Sequence, residues 1–148
     1  MKDYNFYGSE TADCSPVNPL FSKIENPRVL YDFLSEIWCP ETCAPRMRKD
    51  WSKENKTLGQ CSITAFLAQD IFGGKVYGIL REGENYHCYN VTENCVFDLT
   101  SEQFGNEKLC YENKCEQFRE VHFSKEEKKN RYEYLKAELL KALGEKSW

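Results

Sequence analysis

The stretch Trp51 to Phe72, WSKENKTLGQCSITAFLAQDIF, constrains the chain most, because it delivers a cysteine to the point where a loop ends and a helix begins. Gly59 and Gln60 lead into Cys61, and Ile63, Phe66, Leu67 and then Ile71 or Phe72 recur at helical spacing until Gly73-Gly74 stops the run. Cys61 is therefore expected in the first helical turn. Unpaired backbone N–H groups and the positive end of the helix dipole favour an anion there, so a thiol at this position ionises more readily than a free one. His87 follows in Asn85-Tyr86-His87-Cys88 and Asp98 in Val96-Phe97-Asp98-Leu99. In chain order these supply a nucleophile, a base and a carboxylate able to orient the base.

The segment between them reads as strand. Lys75 to Arg81 alternates, with Val76, Gly78 and Leu80 on one face and Tyr77 and Ile79 on the other. Tyr86 to Val91 and Cys95 to Leu99 flank Thr92-Glu93-Asn94 as a hairpin. Pairing of Asn90 with Cys95, or of Val91 with Asn94, sets His87 opposite Asp98 on one face. Pairing of Val91 with Cys95 sends the two to opposite faces, because side chains alternate with period two.

Elsewhere, Asn26-Pro27 opens a helix whose apolar positions are Leu30, Phe33, Leu34, Ile37 and Trp38. Thr100 to Phe104 starts a short turn or helix, and residues 105–117 read as loop. Phe118, Val121 and Phe123 suggest a further strand. Ser124 and Glu127 have the spacing of a capping box for a last helix, with Tyr132, Leu135, Leu139 and Ala142 or Leu143 as its stripe and a Glu127–Arg131 pair on its wet side. Residues 1–25 form an irregular N-terminal extension, leaving 26–148 as a single domain.

The composition, 41% hydrophobic and 14% aromatic in 148 residues, supports one packed core. A net charge of −4 argues against a general nucleic-acid binder. No apolar run reaches membrane-spanning length and the start lacks a secretory h-region, so a cytoplasmic protein with most of its eight cysteines reduced is expected. Arg46, Arg48, Lys49 and Lys53 read as a solvated surface.

The segments Trp38-Cys39-Pro40-Glu41-Thr42-Cys43, Trp51-Ser52-Lys53-Glu54-Asn55, Leu58-Gly59-Gln60-Cys61, Gln69-Asp70, Gly73-Gly74, Tyr86-His87 and Asp98-Leu99-Thr100-Ser101-Glu102-Gln103-Phe104 together resemble the YunG-like family of small bacterial proteins. That family resembles the papain-like and transglutaminase-like cysteine hydrolases. The resemblance implies an α+β fold with a nucleophile helix packed on a small antiparallel sheet. It also implies a hydrolase or acyl-transfer activity on a peptide or other amide-containing substrate through Cys61, His87 and Asp98, with no cofactor. Papain-like enzymes carry a glutamine six residues before the nucleophile; Asn55 has that offset and Gln60 is adjacent, so both are candidate oxyanion donors.

Competing readings accompany each residue. His122 is a second possible base. A non-catalytic binding module would use a cleft around Trp51, Asn55 and Tyr86. A structural zinc protein would draw four thiolates from Cys39, Cys43, Cys110 and Cys115.

Overall fold

The computed structural model describes residues 4–81, 83 and 85–145. Its first regular helix, α1 (Pro27–Ile37), starts as the sequence dictates. The Asn26 side chain accepts from the Arg28 and Val29 amides, and Pro27 takes the first helical position, where its missing donor costs nothing. Leu30 and Leu34 are fully buried, and Trp38 closes the helix with its indole N–H donating to Thr64 Oγ1 at 3.0 Å. That bond ties the end of α1 to the next helix.

This helix, α2 (Cys61–Phe72), is the centre of the core. Every residue from Ser62 to Ala68 is buried, as are Ile71 and Phe72, so the helix is enclosed on all sides rather than laid on a surface. Side chains such as Phe66 and Leu67 each contribute about 1.5–3 kcal/mol through that burial. The helix stops at Gly73, and Gly74 (φ +75°) turns the chain so tightly that a Cβ there would lie 2.3 Å from the Val91 carbonyl oxygen.

The sheet contains β1 (Lys75–Leu80), β2 (Tyr86–Val91), β3 (Val96–Phe97) and β4 (Cys115–Gln117), in the order β3-β2-β1-β4 and antiparallel at each pairing. Val76 faces Asn90 and Gly78 faces Cys88. The Asn90 side-chain amide donates to the Ala65 carbonyl at 2.8 Å, fastening α2 to β2. The fold is therefore α+β, with the helix that begins at Cys61 on a small four-stranded antiparallel sheet, as expected.

The hairpin adopts neither of the two registers considered from sequence. Asn90 pairs with Phe97 and Val91 with Val96. Continued one step, this register aligns Asp98 with Tyr89, two residues from His87 and hence on the same face; the two side chains meet diagonally. The pairing with β2 ends at Phe97, and Asp98 instead bridges to Tyr7, whose carbonyl accepts the Asp98 amide at 3.0 Å.

That bridge belongs to an N-terminal stretch that packs in spite of its irregular backbone: Phe6, Ala12, Phe21 and Ile24 are buried in the common core. Residues 118–123 depart from the strand expectation. They form a helical turn, α3 (Arg119–His122), after the short strand β4 in what the sequence suggested was loop. The turn puts Arg119 and Phe123 inward, where the guanidinium donates to the Phe66 carbonyl (3.1 Å) and Gln69 Oε1 (2.9 Å) and pairs with Asp70 (2.9 Å), while Phe118 and Val121 face outward.

The last helix, α4 (Glu126–Glu145), buries Tyr132, Leu135, Leu139 and Leu143 as its spacing predicts. Its start differs from a capping box, because the Ser124 hydroxyl donates to the Val121 carbonyl instead. The Glu127–Arg131 pair forms at 2.8 Å, but Arg131 is buried and also donates to the Thr42 carbonyl at 3.1 Å. Among the described residues, no helix is long and apolar enough to cross a membrane.

Candidate functional site

Cys61 is the first residue of α2 and its thiol lies against the start of β2, 3.7 Å from the Tyr86 carbonyl oxygen. The approach is set by Gly59, which has φ +71°; a Cβ there would sit 2.5 Å from Cys43 Sγ and 3.0 Å from the Ala44 nitrogen. Its carbonyl accepts the Ala44 amide at 2.9 Å, which fixes the loop just ahead of the cysteine.

His87 is 2% exposed and Asp98 fully buried. His87 Nε2 lies 2.6 Å from Asp98 Oδ2. The same carboxylate oxygen accepts the Tyr111 hydroxyl at 2.7 Å, and Oδ1 accepts the Thr100 amide at 3.2 Å. The second ring nitrogen, His87 Nδ1, is buried with no hydrogen-bond partner among the described residues. Phe104 meets the ring edge-on at 4.7 Å and limits its rotation.

These contacts decide the electrostatics. Burial alone would push the His87 pKa down, but the Asp98 carboxylate and the nearby Cys61 hold it up at about 10. Hydrogen bonding from the Cys88 thiol, opposed by burial and reinforced by His87, holds Cys61 well below the ordinary thiol range, and Cys88 is driven up in return. A thiolate and an imidazolium, with a carboxylate behind the imidazolium, is the charge state this arrangement favours near neutral pH.

Cys61, His87 and Tyr86 line one open cleft of about 840 Å³. The sequence-predicted cleft is only partly this one. Trp51 lies elsewhere, half-buried, with its indole N–H donating to the Lys56 carbonyl at 2.9 Å. Neither candidate oxyanion side chain reaches the cleft lining: Gln60 is fully buried with its amide donating to the Cys39 carbonyl at 3.2 Å, and Asn55 sits in the turn it forms with Ser52. Backbone N–H groups in the first turn of α2 are the donors nearest the thiol in the chain.

His122 does line the cleft, yet both its nitrogens are engaged, Nε2 by Gln117 Oε1 and Nδ1 by Lys128 Nζ, each at 2.9 Å. Burial and the adjacent ammonium push its pKa down to about 4, so it is a neutral wall residue. Cys39, Cys43, Cys110 and Cys115 are free thiols, the last two exposed, and among the described residues no three His, Cys, Asp or Glu side chains converge as metal ligands would. Sequence reasoning missed Tyr111, the second donor to Asp98, and Gln103, which lines the cleft while accepting the Gly59 amide at 3.4 Å and donating to the Thr100 carbonyl at 3.0 Å. Gln103 falls within one of the motifs quoted above; nothing local marks Tyr111.

A family model described as YunG protein matches residues 26–144, most of the chain and all three of these side chains. The chain belongs to the YunG family. It is 44% identical over 54 residues to the Bacillus subtilis (strain 168) protein described as "Uncharacterized protein YunG", a match covering 36% of this chain and 46% of that relative. The chain thus aligns with about half the length of this YunG relative. No solved structure matches.

Proposed function

We propose that this YunG-family protein is a cysteine hydrolase or acyl-transfer enzyme, acting on an amide or peptide bond through Cys61, His87 and Asp98 in a papain-like or transglutaminase-like arrangement. The observation that carries the proposal is the division of labour at His87. One ring nitrogen is held by Asp98 at 2.6 Å, and the other is left buried and without a partner beside a thiol that lines an open cleft. A structural histidine gains nothing from an orphaned nitrogen, whereas a proton-transfer group needs one free.

In the first step the Cys61 thiolate attacks the carbonyl carbon and a C–S bond forms, with the oxyanion received by first-turn N–H groups of α2. The His87 imidazolium gives its Nδ1 proton to the leaving nitrogen, the C–N bond breaks and the amine departs. Neutral His87 then takes a proton from water, whose oxygen attacks the thioester, and the carboxylic acid leaves as the thiolate returns. An amine in place of water gives acyl transfer by the same route. Eight free thiols suit a cytoplasmic setting.

The test is alkylation by iodoacetamide at pH 6, mapped to individual peptides. Cys61 should label while the exposed Cys110 and Cys115 do not, and Cys61→Ala should remove the fast-reacting site. Labelling of Cys61 only as its pH approaches 8.5, like a free thiol, refutes the assignment.

A further inference from the structure

The cleft carries a charge opposite to that of the whole chain. The net charge is −4, yet the described lining residues include five cations, Arg46, Arg81, Lys125, Lys128 and Arg131, and no Asp or Glu. Two are neutralised in place. Arg81 forks onto Glu107 at 2.7 and 3.0 Å, and Arg131 is held by Glu127. For Arg46, Lys125 and Lys128 there is no carboxylate within ion-pair distance among the described residues.

Lys128 is the informative member. It is only partly exposed, and partial burial of an ammonium is costly unless an anion or several acceptors compensate. Its partner is the neutral His122, itself braced by Gln117, so one of three N–H donors is directed, and the ammonium is held in the cleft wall with no carboxylate partner among the described residues, the Cys61 thiolate being the anion whose charge reaches it. A mobile surface lysine would need no such bracing. Arg46 and Lys125 are exposed and approach the same cleft from the turn at Pro45–Asp50 and from the start of α4.

We infer that the cleft selects an anionic substrate, an amide whose acyl or leaving portion carries a carboxylate or phosphate that Lys128 receives, with Arg46 and Lys125 drawing it in, while the carbonyl meets Cys61. This rests on Cys61 being the nucleophile. It explains why an acidic protein surrounds its thiol with a cleft whose described lining carries cations and no acid, since a cationic wall concentrates anions and raises their encounter rate.

The experiment compares the rates at which iodoacetate and iodoacetamide alkylate Cys61 at pH 6.5 and low salt. His87 alone can favour the anionic reagent, so the readout is the rate ratio across variants. The wild type should prefer iodoacetate by roughly five- to tenfold, and 0.5 M salt should reduce that preference severalfold. Lys128→Gln should lower the ratio severalfold and Lys128→Arg should keep it. The surface double variant Arg46→Gln/Lys125→Gln, which leaves the core untouched, should also lower it.

Glutarate and inorganic phosphate as protectants identify the anion: the one that slows labelling marks a carboxylate or a phosphate site, and protection by neither overturns the inference. A ratio unmoved by every charge removal, with iodoacetamide labelling of Cys61 intact, overturns the anionic substrate and leaves the nucleophile standing. Absence of Cys61 labelling by both reagents overturns the nucleophile and the inference together.

Discussion

Replacing Asp98 by Asn is the most searching perturbation of this site. The side chain keeps its shape, and the Thr100 amide, which donates to Oδ1 at 3.2 Å, can only be met by the oxygen of the new carboxamide. With that oxygen on Thr100, the NH₂ faces His87 Nε2 in place of the carboxylate oxygen 2.6 Å away, and the Tyr111 hydroxyl, 2.7 Å from the same position, turns from donor to acceptor. A donor at that position makes Nε2 an acceptor and sends the ring proton to Nδ1, and it withdraws the charge that sustains the imidazolium. With Asp98 the His87 pKa stands near 10; without it, burial pushes the pKa down and only Cys61 opposes that push. Each pK unit is worth about 1.4 kcal/mol, so the net hold of Asp98 and Cys61 together on the charged ring is of the order of 5 kcal/mol, with Asp98 the larger contributor.

At neutral pH, Cys61 then loses its counter-ion and its titration moves upward, toward the free-thiol value, with the Cys88 hydrogen bond left as the main influence holding it down. At pH 6 a thiol of pKa about 8.5 is only about 0.3% ionised. The fall in alkylation rate is smaller than that population implies, because a less acidic thiol gives a more nucleophilic thiolate. The inflection of the pH–rate profile is therefore the quantity to measure, by iodoacetamide labelling with peptide-level mass spectrometry on wild type and Asp98→Asn, with circular dichroism confirming the fold. An inflection at the same pH in both proteins refutes the claim that Asp98 sustains the ion pair.

Two further outcomes follow from the same geometry. Gly59→Ala should lose about 2–3 kcal/mol in urea unfolding and slow Cys61 labelling, because φ +71° strains an alanine and its Cβ meets Cys43 Sγ at 2.5 Å; adding Cys43→Ala should restore part of that loss, and full additivity would refute the clash. The ion pair should also shape stability against pH. His87, raised from 6.5 to about 10, stabilises the fold fully below about 6.5 and loses that contribution as pH rises through 10, whereas Cys61, lowered, contributes above about 9 and loses it as pH falls through its folded value. Their sum is flat from about 6.5 to 9 and falls on both sides. In Cys61→Ala only His87 remains and the fall begins near 6.5, which urea midpoints at pH 5.5, 7.5 and 9.5 will reveal; identical profiles would refute the coupling.

The sequence by itself determined the local elements. Asn26-Pro27 set the start of α1, the apolar recurrence after Cys61 set α2, Gly73-Gly74 set its end, and alternation set β1 and β2, because caps, glycines and periodicity act over a few residues. It also placed Cys61 at a helix start. Where the local signal was weak, it misled: Phe118, Val121 and Phe123 mimic a strand, but Arg119 and its bonds to α2 make the segment a helical turn.

Only the tertiary structure decided the convergence. Whether His87 and Asp98 share a face turned on a hairpin register that the sequence left open, and the register adopted, neither of the two considered, goes with the packing of Phe97 and the bridge to Tyr7 from the far end of the chain. Tyr111 on Asp98, Gln103 by Gly59, and Lys128 in the cleft wall come from segments whose distance along the chain says nothing of their distance in space. Spacing in sequence encodes neighbours along one helix or strand; which elements meet is set by the burial of all their apolar faces at once, and the charge of the cleft is a product of that meeting.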